Sequence, residues 1–289
     1  MRVLLLLLTC LPASLALAEE APTYVRPKLL VEVSELQAWL SGDKRIGDQQ
    51  LTLLDARSIE AYQEGRISAA RHVNVAEWKA AFGDGTDAKE WSARIGKVLS
   101  GTDSTVIIYD DALTGNAARI WWIMKYWGVE DVRIVNGGFS AWKAAGATVY
   151  PTVSHRTEPV EFDAKPHLER LATIDEVLEL GAQSDGLTCL IDVRTDRECA
   201  GGVIPKSTHL DWQELIDPDT KKLRPAEELR VLLERVGFDA EKPTITYCQS
   251  GRRASVMAFA VELMGGEQVA NYYGSWGEWS RQETGDRRK

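Results

Sequence analysis

Short apolar runs alternate with amphipathic stretches along the chain. Leu53-Leu54-Asp55, Val106-Ile107-Ile108-Tyr109, Val132 to Val135, Leu190-Ile191-Asp192, Thr244-Ile245-Thr246-Tyr247 and Gln268 to Asn271 are brief and rich in branched residues. They predict buried strands. Between them, apolar residues recur at helical spacing over Ser34 to Leu40, over Thr173 to Leu180, and after Arg252 through Val256, Met257, Phe259, Ala260 and Leu263. Thr173 with Glu176 reads as a capping box. Strands alternating with helices predict an α/β fold, a parallel sheet with helices on both faces. Ligand sites in such sheets lie beyond the carboxyl ends of the strands.

The pattern occurs twice. Leu53-Leu54-Asp55-Ala56-Arg57 returns as Leu190-Ile191-Asp192-Val193-Arg194, and Asn136-Gly137-Gly138-Phe139 returns as Tyr273-Gly274-Ser275-Trp276. Asp55 and Asp192 stand 137 positions apart, as do His72 and His209, and Trp142 and Trp279. The chain therefore reads as two copies of one domain of roughly 120 residues. The expected limits are 28–149 and 167–284. A Pro-rich extended linker over 150–166 joins them.

The two copies differ at one position of chemical consequence. Val106-Ile107-Ile108-Tyr109-Asp110 in the first aligns with Thr244-Ile245-Thr246-Tyr247-Cys248 in the second. Cys248 precedes Gln249-Ser250-Gly251-Arg252-Arg253, at a turn from strand into helix. Orphan N–H groups at a helix start, joined by two arginines, form an anion nest that favours thiolate. A lone cysteine at a strand end is ordinarily a small buried hydrophobe, but a basic glycine-bearing turn is a poor place for an inert one. Asp110 cannot do thiol chemistry. The first copy is then either a wall of the active site or a vestigial repeat kept for stability.

Hydrophobic residues at 44% and charged residues at 27% are ordinary for a soluble globular chain, and the net charge of −9 argues against a general nucleic-acid binder. Met1-Arg2, the apolar run from Val3 through Leu8, and Ala16-Leu17-Ala18 read as a signal peptide over 1–18. The run is too short for a membrane span. A periplasmic or secreted protein without stable membrane insertion is expected, and a monomer. Cleavage leaves Cys189, Cys199 and Cys248. Cys189 and Cys199 are open to two readings, one disulfide or two buried thiols.

Other chemistries fit less well. His72 and His209 hold the same place in both copies, including the one without cysteine, which argues for a structural role and against a Cys-His dyad. His155 and His167 fall at the linker. No zinc, dinucleotide or Walker pattern occurs, so neither metal nor cofactor is expected.

These tandem blocks, with one Cys loop in the second copy, resemble the two-domain rhodaneses, the thiosulfate and 3-mercaptopyruvate sulfurtransferases. The resemblance runs from Leu29 to about Trp279. It implies tandem rhodanese-like domains, the first inactive, and Cys248 as a persulfide-forming nucleophile. It also implies a cradle for a small anionic sulfur donor made of Gln249, Ser250, Gly251, Arg252 and Arg253. The acceptor would be cyanide or a thiol. Asp192 and Arg194 would pair as a support, since Asp55 and Arg57 repeat them. Arg197 is either a donor contact or a solvated arginine. Trp276 either lines the pocket or packs in the core. The loop departs from Cys-Arg-Lys-Gly-Val-Thr of thiosulfate enzymes and Cys-Gly-Ser-Gly-Val-Thr of mercaptopyruvate enzymes. It is closer to Cys-x-Ser-Gly-x-Arg-Ser of single-domain members, so the donor stays open. A cysteine phosphatase needs arginine where this chain has Ala254. An exported redox-sensing or binding module using Cys248 is the non-catalytic alternative.

Overall fold

The computed structural model describes residues 23–151, 158–182 and 187–286. The signal segment expected over 1–18 and His155 lie outside the described residues. The first copy contains β1 (Leu30–Val31), α1 (Val33–Ser41), β2 (Arg45–Ile46), β3 (Gln49–Asp55), α2 (Ile59–Glu64), β4 (Arg71–His72), α3 (Val75–Phe82), α4 (Ala88–Gly96), β5 (Ser104–Tyr109), α5 (Asn116–Tyr126), β6 (Val132–Val135) and α6 (Gly138–Ala144). The second contains α7 (Ile174–Ala182), β7 (Cys189–Asp192), α8 (Asp196–Cys199), β8 (Thr208–His209), α9 (Ala226–Arg235), β9 (Thr244–Tyr247), α10 (Arg252–Leu263), β10 (Val269–Asn271) and α11 (Ser275–Asp286). The expected capping box forms at α7, with Thr173 N–H donating to Glu176 Oε2 at 2.7 Å and Glu176 N–H donating to Thr173 Oγ1 at 3.3 Å.

The second sheet runs β10-β9-β7-β8, all parallel. The first runs β1-β6-β5-β3 in parallel, with parallel β4 and antiparallel β2 both paired to β3. It is thus mixed, where sequence periodicity predicts only parallel strands. β2 and β3 form a hairpin through Gly47, whose φ of 59° suits the tight turn. A two-residue strand carries no period by which to be recognised.

Burial on both faces follows from alternation along β5. Val106 and Ile108 face a core cluster shared with α3, α4 and α5. Ile107 and Tyr109 face the opposite cluster, with Leu36 of α1 and Trp142 of α6. The first of these cores continues into the second domain, because α5 packs on α10. Trp121 meets Phe259 edge-on at 5.1 Å, and Trp122 stacks on Tyr273 at 5.1 Å. Such aromatic contacts hold the two copies in one register beyond what area burial supplies.

From Val160 onward the connecting segment lies along the first domain. The N–H groups of Val160, Lys165 and His167 donate to the carbonyls of Gly96, Trp127 and Tyr126. His72 and His209 donate from Nε2 to the carbonyls of Arg57 and Arg194, the same structural bond in both copies. Among the described residues, no helix is long and apolar enough to cross a membrane.

Candidate active site

Cys248 follows the last residue of β9 and is 1% exposed. The chain then turns through Gly251, at φ 80°, into α10. A Cβ on Gly251 would lie 2.8 Å from the Tyr273 ring, so glycine is required twice over. Ser275 fastens the loop. Its Oγ accepts the N–H groups of Cys248 and Gly251, both at 3.1 Å, and donates to the Tyr272 carbonyl at 2.7 Å. Asn271 Nδ2 and Ser255 Oγ donate to the Gly251 carbonyl. The Gln249 carbonyl accepts the Gly277 N–H, and the Ser250 N–H of the same peptide lies 3.4 Å from Cys248 Sγ. The N–H groups of Arg252, Arg253 and Ala254 open α10 ahead of its first intrahelical bond.

A cavity of about 630 Å³ opens over the sulfur. Lys79, Arg119, Arg252 and Arg253 line it, and among the described residues no carboxylate does. Arg253 is tied to Glu198 by two bonds of 2.6 Å. Arg253 pulls the Glu198 carboxyl down to about 2, with help from Thr195. Arg119 comes from α5 of the other domain and donates from Nη2 to the Ser250 carbonyl. Lys79 and Arg119 make the first domain a wall of this cavity, one of the two roles that the sequence leaves open for it.

The structure brings Cys248, Gln249, Ser250, Arg252 and Arg253 to the cavity, with Gly251 buried in the turn beneath. Asp192 and Arg194 pair below it, Nη2 against Oδ2, with side chains 0% and 1% exposed. Tyr247 donates to Asp192 at 2.7 Å, and Tyr109 makes the equivalent bond to Asp55 in the first copy. Trp276 packs on Arg194, 4.4 Å from its guanidinium, and against Gly202. It does not line the cavity. Arg197 is corrected as a donor contact: it is exposed on α8 and outside the lining, because Thr195 and Glu198 occupy the turn that faces the site.

Sequence reasoning misses Arg119, Lys79, Glu198 and Ser275. Only Glu198 carries a local signal, its spacing from Thr195 in a capping box. Cys189 and Cys199 are both free thiols. Burial, then the Asp192 carboxylate, pushes the Cys199 thiol up to about 12.

In the first copy the equivalent nest is filled from within. Asp110 Oδ2 accepts the N–H groups of Asn116 and Ala117, both at 3.0 Å. Its loop is longer: Gly115 caps α5 five positions after Asp110, whereas Gly251 caps α10 three positions after Cys248.

The sequence profile described as "Rhodanese-like domain" matches residues 36–145 and 173–282. The chain belongs to the rhodanese family. Sulfur carrier protein TtuD of Thermus thermophilus is 29% identical over 278 residues, 89% of this chain and 95% of that protein. The thiosulfate sulfurtransferase of Mus musculus is 29% identical over 280 residues, 84% of this chain and 90% of that one. Among solved structures, SseA of Escherichia coli, a 3-mercaptopyruvate sulfotransferase, superposes with a TM-score of 0.73 at 21% identity. That match covers 86% of this chain and 98% of SseA. The anaerobic ergothioneine biosynthesis enzyme of Chlorobium limicola gives 0.77 at 22% identity, over 89% of this chain and 69% of that one. The chain is accordingly a rhodanese-type enzyme with two rhodanese domains, of which the second carries cysteine at the loop.

Proposed function

We propose that this rhodanese moves the sulfane sulfur of thiosulfate, or the thiol sulfur of 3-mercaptopyruvate, to cyanide or a thiol through a persulfide on Cys248. The observation that carries this is a cysteine at a cavity whose described lining holds four cations and no carboxylate. The Cys248 thiolate attacks the outer sulfur of thiosulfate. The S–S bond of the donor breaks, its electron pair leaves with sulfite, and a Cys248 persulfide anion remains. Ser250 and the opening N–H groups of α10 face that anion and stabilise it. Cyanide then takes the terminal sulfur as thiocyanate and returns the thiolate. Two half-reactions on one nucleophile give ping-pong kinetics.

Intact mass of the reduced protein mixed with thiosulfate tests this, beside Cys248→Ser. One sulfur added to the parent alone and removed by cyanide is expected. No adduct from thiosulfate or 3-mercaptopyruvate moves Cys248 to a redox or binding role. We also propose that the chain is exported after cleavage behind Ala18, the sequence signal being the support, and an intact Met1 on the exported protein would overturn it. Both walls of the cavity come from one chain, which supports a monomer; its mass in solution is the check.

A further inference from the structure

Arg119 is 3% exposed, and its Nε has no partner. Its guanidinium donates to the Ser250 carbonyl and sits 5.3 Å from the centre of the Tyr273 ring. The neighbouring arginines have carboxylates: buried Arg194 has Asp192, and half-buried Arg253 has Glu198. Among the described residues, Arg119 has none. A guanidinium does not shed its proton inside a protein, so a buried one without a counter-ion is costly. The groups that act on its charge are Tyr273, Cys248 and Arg252, of which Cys248 is the one that carries an anion in the reaction.

We infer that Arg119, from the domain without the cysteine, is a positioning residue for sulfur transfer at Cys248. Its side-chain bond holds the Ser250 carbonyl toward Arg119, while the Ser250 N–H, on the preceding peptide whose Gln249 carbonyl accepts from Gly277, lies on the sulfur. A carbonyl facing the sulfur would repel thiolate and persulfide alike. Its buried charge adds to that effect, because a cation with no carboxylate of its own is balanced best when the sulfur is anionic. The Tyr273 ring covers one face of the guanidinium, and only 3% of Arg119 is exposed, which limits screening by water. This rests on the sulfur-transfer reading only for the persulfide; the effect on the thiolate stands without it.

The test compares Arg119→Gln, Arg119→Lys and parent in the full chain by two readouts. The first is the pH profile of Cys248 alkylation by iodoacetamide, which needs no sulfur donor. The second is persulfide loading by thiosulfate, followed by intact mass. In Arg119→Gln the alkylation profile should move to higher pH, with a rate near neutrality about tenfold lower, and loading should fall at least as far. Arg119→Lys keeps a charge but not the fork, so it should restore most of the alkylation rate and little of the loading. An unmoved profile and unchanged loading in Arg119→Gln would overturn the inference. If that variant does not fold, Arg119→Lys decides: loading reduced several-fold supports it, and both readouts unchanged overturn it. A parent that alkylates at Cys248 yet never takes sulfur defeats the proposed function alone, and the profiles still judge Arg119.

Discussion

Glu198 holds Arg253 through parallel bonds, Nη1 to Oε2 and Nη2 to Oε1, each 2.6 Å. Thr195 Oγ1 donates to the same carboxylate at 2.7 Å, so the start of α8 is locked to the start of α10. Forked pairing of this kind fixes orientation as well as charge. It leaves Arg253 beside the sulfur without leaving it free to close over the cavity.

The pair makes stability depend on acid. Glu198 falls from the ordinary 4.5 to about 2 in the folded state, chiefly through Arg253. A depressed carboxyl stabilises the fold fully above its unfolded value and loses that contribution as pH falls toward the folded value. The parent should therefore lose thermal stability between about 4.5 and 2, and Glu198→Gln should lose less over the same window. The carboxylate is partly exposed, so solvent screening keeps the difference small. Melting curves that fall in parallel for the two proteins would sink the assignment.

Ser275 takes a left-handed φ of 54° that disfavours a side chain, yet its hydroxyl accepts two N–H groups of the Cys248 turn. Ser275→Ala keeps the unfavourable backbone and strands both donors, at a cost of about 2–4 kcal/mol. Ser275→Gly strands the same donors but relaxes the backbone, so it should be the milder change by roughly 1 kcal/mol. Urea unfolding of the two variants checks the order. An alanine variant more stable than the glycine one would show that the left-handed backbone at 275 carries no strain, and an alanine variant as stable as the parent would show that the hydroxyl does not hold the turn.

The repeat makes most of the fold legible before any coordinate. Asp55 and Tyr109 are partners across β3 and β5, as Asp192 and Tyr247 are across β7 and β9, because duplicated sequence folds in duplicated register. The Asp192–Arg194 pair is visible for the same reason: Asp55–Arg57 repeats it in a copy that has no thiol. Arg119 is not legible, since its contact with Ser250 spans 131 positions and no local pattern announces a contact between domains. Arg197 misleads because unlikeness between copies marks divergence, whether it points to the cavity or to water. Elements of two residues, such as β1 and β2, are too short for any periodicity.

Asp110→Cys, made together with Cys248→Ser, should not create a second persulfide site. The new thiol would sit in a loop that is longer before its helix cap, on N–H groups of Asn116 and Ala117 set to bind a carboxylate. Arg252 and Arg253 have Asn116 and Ala117 as their counterparts after the capping glycine, so the positive charge is missing too. Removing the carboxylate also leaves the α5 donors without their acceptor, which should lower stability by about 1–3 kcal/mol. Thiosulfate should add no sulfur to this double variant by intact mass. A sulfur adduct would mean that the strand-to-helix turn alone suffices and that the loop length and charge of the second copy are not what matters.

The three cysteines of the described residues should differ sharply toward iodoacetamide in the native protein. Burial, reinforced by Asp192, holds Cys199 at about 12, so its thiol stays protonated and unreactive near neutral pH. Burial also pushes Cys189 up, and its thiol donates to the Val236 carbonyl at 3.4 Å. Cys248 has the Ser250 N–H on its sulfur and opens onto the basic cavity. With the signal segment removed, native alkylation should therefore add one group to the parent and none to Cys248→Ser, while denatured protein takes up the rest. Rapid native labelling of Cys199 would contradict the influence assigned to Asp192, because a thiol held that high exposes almost no thiolate to the reagent.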